Sequence, residues 1–154
     1  MSDSIFAIAR SGMDVEHQRM EVIAQNLANA GTTQTAAGTP YQPMRLVSGP
    51  RVVSNFPAHL QAGNDVSGMD VSPTEGLAGV QTYGVEPMET QPRLVYEPSH
   101  PHADGKGFVH YPGLDHAGEM ALMVQTQRVY EANVIMFNAA RSMYLRALDL
   151  GSKG

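Results

Sequence analysis

The sequence contains no cysteine and no tryptophan, and only 6% of its 154 residues are aromatic. The absence of cysteine excludes disulfides, thiolate catalysis and zinc–thiolate sites. Ten Lys and Arg residues against fifteen Asp and Glu residues give a formal charge of −5. There is no basic stripe, which argues against nucleic acid as a partner. No run approaches the ~20 apolar residues that a membrane span needs, so direct membrane insertion is not expected.

Hydrophobic residues make up 42% of the chain, and fifteen glycines and ten prolines lie mostly in its middle. Ten methionines, which pack adaptably into irregular interfaces, are a further feature of the composition. We therefore expect a thin core that partners complete. The N-terminus lacks the basic and apolar regions of a secretory signal peptide, so any export requires another route.

Apolar residues from Ser4 to about Ala30 recur at helical spacing and predict an amphipathic helix with a wide apolar face. Gly31 is predicted to end this helix, because glycine adopts the left-handed conformation at little cost. The positions of this helix that we expect at an assembly interface are Ile5, Ile8, Val15, Val22, Ile23 and Leu27.

A second helix is predicted from about Asp115, which can cap it, to Leu150, and it carries two seams with the alternating steps of a heptad repeat. One seam is Met120, Met123, Gln127, Tyr130, Val134, Phe137, Arg141, Tyr144 and Leu148. The other is Leu122, Thr126, Val129, Asn133, Met136, Ala140, Met143, Ala147 and Leu150. About 35 residues at 1.5 Å each give a rod of roughly 50 Å, which favours packing against more than one neighbour. The expected interface positions here are Met123, Tyr130, Val134, Phe137, Tyr144 and Leu148.

Between the helices, short apolar runs separated by Gly and Pro predict strands at 44–47, 51–53, 79–85, 93–96 and 107–111. The stretch from about 54 to 78 has no clear period and predicts a flexible loop. The prediction is therefore an α+β chain in which the terminal helices pack as a coiled-coil-like pair around a small inserted β-rich domain. Its predicted parts are 1–35 and 114–154, the assembly core, and 36–113, the middle domain.

No residue pattern in the chain indicates catalysis. His100, His102, His110 and His116 lie near Asp104, but their spacing matches no defined metal site, and solvated loop histidines are the simpler interpretation. The glycines around Lys106 do not form a phosphate-binding loop, and no nucleophile motif is present. We expect no enzyme activity, no catalytic residues, no metal and no cofactor.

The stretch NLANAGTT, residues 26–33, resembles the motif of bacterial flagellar axial proteins, the rod and hook subunits. In that family N-x-A-N-x-x-T is soon followed by Gly and an aromatic residue. The first part is matched by Asn26, Ala28, Asn29 and Thr32. The second part is displaced by an intervening QTAAG and is supplied by Gly38, Pro40 and Tyr41. Such an insertion is similar to that of the proximal-rod members.

Two later stretches resemble the same family. LVYEPSHPHADGKGFVHYPGLDHAGEM is similar to its L-V-Y-x-P…P-x-A-D-x-x-G-[YF]-V…D…G-E-M run, and RVYEANVIMFNAARSMYLRALDLG is similar to its C-terminal helix. Matching positions in these stretches include Asp104, Gly107, Glu119 and Asn133. Gly105 stands where the family often has Ala, and the segment 54–78 has no match.

The resemblance implies a structural subunit of the proximal rod of the flagellar basal body. Its terminal helices would form the inner layer of a hollow, torque-transmitting tube built by heterologous contacts. The implied partners are neighbouring copies, other rod subunits, the rod-to-membrane-ring adaptor and the flagellar type III export apparatus. The implied location is the periplasm-spanning rod, reached from the cytoplasm without a cleaved signal peptide.

Two alternatives remain open from the residues alone. One is a soluble coiled-coil adaptor or chaperone-like binding module that forms a small defined oligomer. The other is a metal-dependent hydrolase that uses the histidine cluster.

Overall fold

A computed structural model describes residues 2–52 and 77–151 of the chain. These residues form two long helices with four strands between them. The elements are α1 (Ser2–Ala28), β1 (Met44–Val52), β2 (Leu77–Pro87), β3 (Arg93–Tyr96), β4 (Phe108–Tyr111) and α2 (His116–Gly151). The α+β class predicted from the sequence is confirmed.

The end of α1 differs from the prediction. The helix ends at Ala28, and Gly31 is not among the described glycines with a left-handed φ. Instead, the backbone N–H and the side-chain Nδ2 of Asn29 both donate to the carbonyl oxygen of Gln25, at 3.1 and 2.9 Å. The predicted glycine cap was therefore wrong, because an asparagine side chain satisfies the last turn of the helix before Gly31 is reached.

Several strands also differ from their predicted bounds. The runs predicted as separate strands at 44–47 and 51–53 belong to one strand, β1, which continues through Pro50 to Val52. Each strand of a two-stranded sheet has one unpaired edge, where a proline is tolerated. Residues 77 and 78, predicted as loop, begin β2. The rest of the predicted loop, and residue 53, lie outside the described residues.

Strands β3 and β4 form an antiparallel hairpin in which Val95 pairs with Val109 and Tyr96 with Phe108. Val109 is fully buried, whereas its neighbours Phe108 and His110 are exposed. Side chains therefore alternate between a core face and an outer face, as the period of a strand requires. Strands β1 and β2 form the other two-stranded sheet, and Arg45 pairs with Glu86 at 3.4 Å between them.

The chain divides into two compact units, and each contains part of both helices. One unit is Met1–Val15, Ser48–Thr82 and Ala132–Gly154, and it is called the first unit below. The other, the second unit, is Glu16–Val47 and Tyr83–Glu131. The predicted division into an assembly core and a middle domain concerns the assembled protein and stays a prediction.

Candidate assembly site

Asn26, the first residue of the NLANAGTT motif, is buried in the second unit with only 1% of its surface exposed. Its amide uses both of its donors and both lone pairs. Nδ2 donates to the Met44 carbonyl oxygen at 2.7 Å and to Glu119 Oε2 at 3.3 Å. Oδ1 accepts from the Met44 N–H and from the Tyr41 hydroxyl, each at 2.9 Å. The side chain therefore bonds the Met44 backbone as a neighbouring strand would, and it joins α1, α2 and the start of β1.

Glu119 lies in the first turn of α2 and is also buried. A carboxylate there is favoured by the positive end of the helix dipole, and the Asn26 amide gives it a hydrogen bond. Burial and the charge of Glu119 raise the pKa of Tyr41 above that of an ordinary phenol. Tyr41 therefore remains a neutral donor to Asn26 across the physiological pH range.

The remaining motif residues shape the turn after α1. Thr32 donates its hydroxyl to Asn29 Oδ1 at 3.2 Å and its N–H to the Asn29 carbonyl oxygen at 3.0 Å. The Tyr41 N–H donates to the Thr32 carbonyl oxygen at 3.1 Å, which closes the loop that delivers the tyrosine ring to Asn26. The Asn29 and Thr32 side chains of the motif are thus hydrogen-bonded at the end of this helix, whereas Ala28 is exposed.

Asp104 and Gly107 build the turn before β4. Asp104 Oδ1 accepts hydrogen bonds from the N–H groups of Phe108 and Lys106, at 2.9 and 2.8 Å. These two bonds hold the pKa of Asp104 below its usual range. Gly107 has a φ of +82°, and a Cβ there would lie 2.9 Å from a ring carbon of Tyr96. Both residues therefore have a local structural role in the hairpin.

In the second unit, α1 and α2 contribute a buried line of side chains. Val22 and Ile23 of α1 are buried, and Asn26 meets Glu119 one turn further on. On α2, Glu119 and Thr126 are buried, and Met123 between them and Tyr130 after them are half-buried. The steps from 119 through 123 and 126 to 130 are four, three and four residues, which is the spacing of one helix packed along another.

In the first unit, two contacts show how α1 and α2 pack. A Cβ on Gly12 would lie 2.9 Å from Asn133 Nδ2, so the glycine allows the helices to approach closely. The Phe6 ring packs edge-on against Phe137 and Tyr144, with centroids 5.3 and 6.2 Å apart. Residues later in α2 therefore contact residues earlier in α1, so the two helices are antiparallel.

The least exposed residues of α2 form one line that takes members from both predicted seams. The line contains Glu119, Met123, Thr126, Tyr130, Asn133, Phe137 and Ala140, and the half-buried Val134 lies beside it. Of the predicted interface residues, the chain itself buries Val15, Val22 and Ile23, and half-buries Leu27, Met123, Tyr130, Val134 and Phe137. Those left exposed are Ile5, Ile8, Tyr144 and Leu148.

Sequence reasoning missed two contacts within the chain. Phe6 lies beside the apolar stripe rather than on it, so helical spacing did not select it. Gly12 lies at helical spacing between Ile8 and Val15 of the apolar stripe, but its lack of a side chain is what matters. A small residue in the middle of an apolar helix face is the signal that could have indicated a close helix contact.

Comparison with known proteins gives matches over almost the whole chain. The flagellar basal-body rod protein FlgC of Escherichia coli O6:H1 is 34% identical over 148 residues, which cover 96% of each chain. The FlgC of Salmonella typhimurium is 32% identical with the same coverage, and that of Bacillus subtilis is 30% identical over 94% of each chain. The family model described as flagellar basal body rod FlgEFG protein C-terminal matches residues 106–150.

The chain belongs to the FlgC family of flagellar basal-body rod proteins. The resemblance found in the motifs is thereby confirmed. The part of the chain that matches the FlgEFG C-terminal model begins in the turn before β4 and reaches the last turn of α2.

Three histidines of this FlgC-family chain, His100, His102 and His110, form local contacts in the second unit. His102 Nδ1 lies 2.8 Å from the Thr33 hydroxyl oxygen, and His100 Nδ1 accepts from the His102 N–H at 3.1 Å. His110 Nε2 lies 4.0 Å from an Asp104 oxygen. Within residues 2–52 and 77–151, no three His, Asp or Glu side chains are grouped as metal ligands would be. Neither described helix is long and apolar enough to cross a membrane.

Proposed function

We propose that this chain is a structural, non-catalytic subunit of the proximal flagellar basal-body rod. Copies of it and other rod subunits would assemble through the terminal helices into a hollow tube that transmits torque. The observation that carries this proposal is the similarity to FlgC proteins over nearly the full length of both chains.

The chemistry of the helices supports an assembly role. Ile5 and Ile8 of α1 and Leu148 of α2 are large apolar side chains that the single chain leaves exposed. Complete burial of such a side chain contributes roughly 1.5–3 kcal/mol. An isolated chain forgoes this stabilisation, whereas an assembly recovers it from every copy. Exposed apolar helix faces of this kind are typical of interaction surfaces.

We further propose the partners and the location that membership of this family suggests. The partners are neighbouring copies, other rod subunits, the rod-to-membrane-ring adaptor and the flagellar type III export apparatus. The chain would leave the cytoplasm largely unfolded and without cleavage of its N-terminus, and would take its place in the rod across the periplasm. A thin core is compatible with passage through an export channel, because little packing has to be undone.

The adaptor alternative has no support from the relatives, which carry the name of a rod protein. The hydrolase alternative would require a cluster of metal ligands, and the described residues offer none.

A deletion strain tests the proposal. Electron microscopy of its isolated basal bodies should show the membrane ring without the distal rod, hook or filament, and the cells should not swim. The intact gene supplied on a plasmid should restore both. Complete flagella and normal swimming in the deletion strain, with no second copy of the gene in the genome, would refute the rod function.

A further inference from the structure

The turn before β4 contains an Asp–Gly dipeptide, Asp104–Gly105, whose chemistry plays no part in the proposed assembly. Both residues are exposed, and 39% of the Asp104 side chain is open to solvent. Among the described residues, nothing beyond its chain neighbours lies within 4 Å of a Cβ built on Gly105. Gly105 is also a position at which this chain departs from the family motif, which often has Ala there. The turn therefore places a carboxyl group next to an unhindered peptide nitrogen.

These two groups can react with each other without an enzyme. The backbone nitrogen of Gly105 attacks Cγ of the protonated Asp104 side chain and forms a C–N bond, while the proton of that nitrogen and the carboxyl hydroxyl leave as one water molecule. Water then adds to the main-chain carbonyl carbon of the succinimide ring and breaks the bond between this carbon and the nitrogen. The product is isoaspartate, in which the main chain runs through Cγ and is one carbon longer at unchanged mass. Glycine favours ring closure because it has no side chain to obstruct it.

The folded turn keeps the Asp104 carboxyl group in its unreactive form. Oδ1 accepts hydrogen bonds from the N–H groups of Lys106 and Phe108, at 2.8 and 2.9 Å. These bonds favour the carboxylate and lower the pKa of Asp104, so less of the protonated acid is present at neutral pH. The carboxylate reacts poorly, because it has no hydroxyl group that could leave as water.

The main chain of the turn is held on both sides of the reacting group. The Asp104 N–H donates to the carbonyl oxygen of Phe108 at 2.8 Å, and the Asp104 carbonyl oxygen accepts from the N–H of Gly107 at 2.9 Å. The side chain must leave its two N–H partners, and the backbone must turn, before the Gly105 nitrogen can close a ring on Cγ. Ring closure therefore requires local opening of the turn.

We propose that Asp104–Gly105 is a site of spontaneous isomerisation that the folded turn suppresses, so that isoaspartate forms mainly in unfolded copies of this chain. The modified residue would keep the turn from forming again, because the longer main chain moves the carboxylate away from the N–H groups of Lys106 and Phe108. It would also disturb the pairing of Phe108 with Tyr96 at the start of β4. The inference concerns the chemistry of the single chain and does not depend on the rod function.

Ageing of the full-length chain at neutral pH tests the proposal, with one sample folded in sodium chloride and one unfolded in an equal concentration of guanidinium chloride. Peptide mapping with electron-transfer fragmentation distinguishes isoaspartate from aspartate at equal mass. Isoaspartate at position 104 should accumulate in the unfolded chain, and at least about tenfold more slowly in the folded chain. Equal rates in the two samples would overturn the protection by the turn. No isoaspartate at position 104 in the unfolded chain would overturn the site itself.

Two variants and two internal positions control this experiment. Gly105→Ala should slow the reaction severalfold in the unfolded chain, and an unchanged rate would overturn attack by this nitrogen. Asp104→Asn is the positive control, because its amide forms the same succinimide with loss of ammonia. If this variant reacts and the parent chain does not, the site is wrong. Asp115 and Asp149, which precede residues larger than glycine, give the background rate in the same digest.

A weakened turn tests the protection without denaturant. Gly107→Ala places a Cβ 2.9 Å from a ring carbon of Tyr96 and so disfavours the turn. Under folding conditions this variant should form isoaspartate at position 104 faster than the parent chain, whereas the two unfolded chains should react at the same rate. If the variant unfolds at a lower urea concentration but isomerises at the parent rate when folded, the turn does not protect Asp104.

Discussion

Replacement of Asn26 tests the buried hydrogen-bond network that joins α1, α2 and β1. Asn26→Leu keeps a similar volume but removes every hydrogen bond of the side chain. The N–H and the carbonyl oxygen of Met44 then lose their partner in a site where Asn26 is only 1% exposed. The hydroxyl of Tyr41 and the carboxylate of Glu119 also lose a hydrogen bond each.

The magnitude follows from the groups left without partners. A buried donor or acceptor without a partner costs about 1–3 kcal/mol, so the two Met44 groups alone cost about 2–6 kcal/mol. Tyr41 is half-buried and can turn towards water, and a leucine side chain recovers some apolar burial. We therefore expect Asn26→Leu to lower the free energy of unfolding by about 3–5 kcal/mol, a large share of the total for a small domain.

Asn26→Asp is the isosteric form of the same test. It places a carboxylate oxygen where Nδ2 lies 2.7 Å from the Met44 carbonyl oxygen and 3.3 Å from Glu119. Burial and the neighbouring carboxylate raise the pKa of the introduced group, so the folded protein prefers its protonated form. The destabilisation is therefore greatest at neutral pH and decreases as the pH falls, because a bound proton restores the donor.

Urea unfolding followed by far-ultraviolet circular dichroism measures both effects. Asn29→Leu is the matched control, because among the described residues the side chain of this half-buried asparagine bonds within its own turn, to Gln25 and Thr32. We expect it to cost about 1 kcal/mol or less. A loss below about 1 kcal/mol for Asn26→Leu, or equal losses for the two variants, would refute the role of Asn26 in the network.

Three further changes test other parts of the structure. Phe137→Ala removes an aromatic contact with Phe6 and should lower the free energy of unfolding by about 3 kcal/mol in the same urea assay. Gly107→Ala should cost about 1–3 kcal/mol, because its φ of +82° and the nearby tyrosine ring both disfavour a Cβ. Asp104→Asn should lower the urea midpoint at pH 7 but leave it unchanged at acid pH. The backbone hydrogen bonds to ionised Asp104 lower its pKa in the folded chain, so they stabilise the fold at any pH above the ordinary pKa of a carboxyl group. This contribution is lost as the pH falls through the lowered pKa.

Controls and contradicting results for these changes are available within the chain. Met136→Ala changes an exposed side chain, and a loss equal to that of Phe137→Ala would deny the aromatic contact. Gly105→Ala has no obstacle within 4 Å and should be neutral, so equal effects at the two glycines would contradict the turn geometry. A constant difference in midpoint between wild type and Asp104→Asn from pH 7 to pH 3 would contradict the pKa argument.

The helices and the α+β class could be predicted because they depend on local spacing. Apolar residues repeating over many turns indicate a helix wherever its partners lie. The strand at 93–96 was predicted with the bounds that the structure has, and it lies between a proline and a turn. The continuous strand through Pro50 was not predicted. A proline is tolerated inside a strand where that side of the strand has no neighbouring strand, and the sequence alone does not show which side that is.

The line of α2 that α1 would occupy could not be chosen from the sequence. Two apolar seams lie side by side on α2, and α1 meets residues from both of them, Asn133 at Gly12 and Phe137 at Phe6. The choice depends on Gly12 and Phe6, whose roles are decided by a contact more than a hundred residues away along the chain. The network of Asn26 was likewise hidden, because a motif resemblance names the asparagine but not its partners.

Amide hydrogen exchange of the free chain and of isolated basal bodies tests assembly through the helices most directly. In the free chain, α2 should exchange rapidly after Tyr144, where it extends beyond α1, and more slowly around Asn133, where α1 covers it. In basal bodies, the exchange after Tyr144 should slow at least tenfold. Equal exchange rates along α2 in the free and the assembled chain would contradict assembly through this helix.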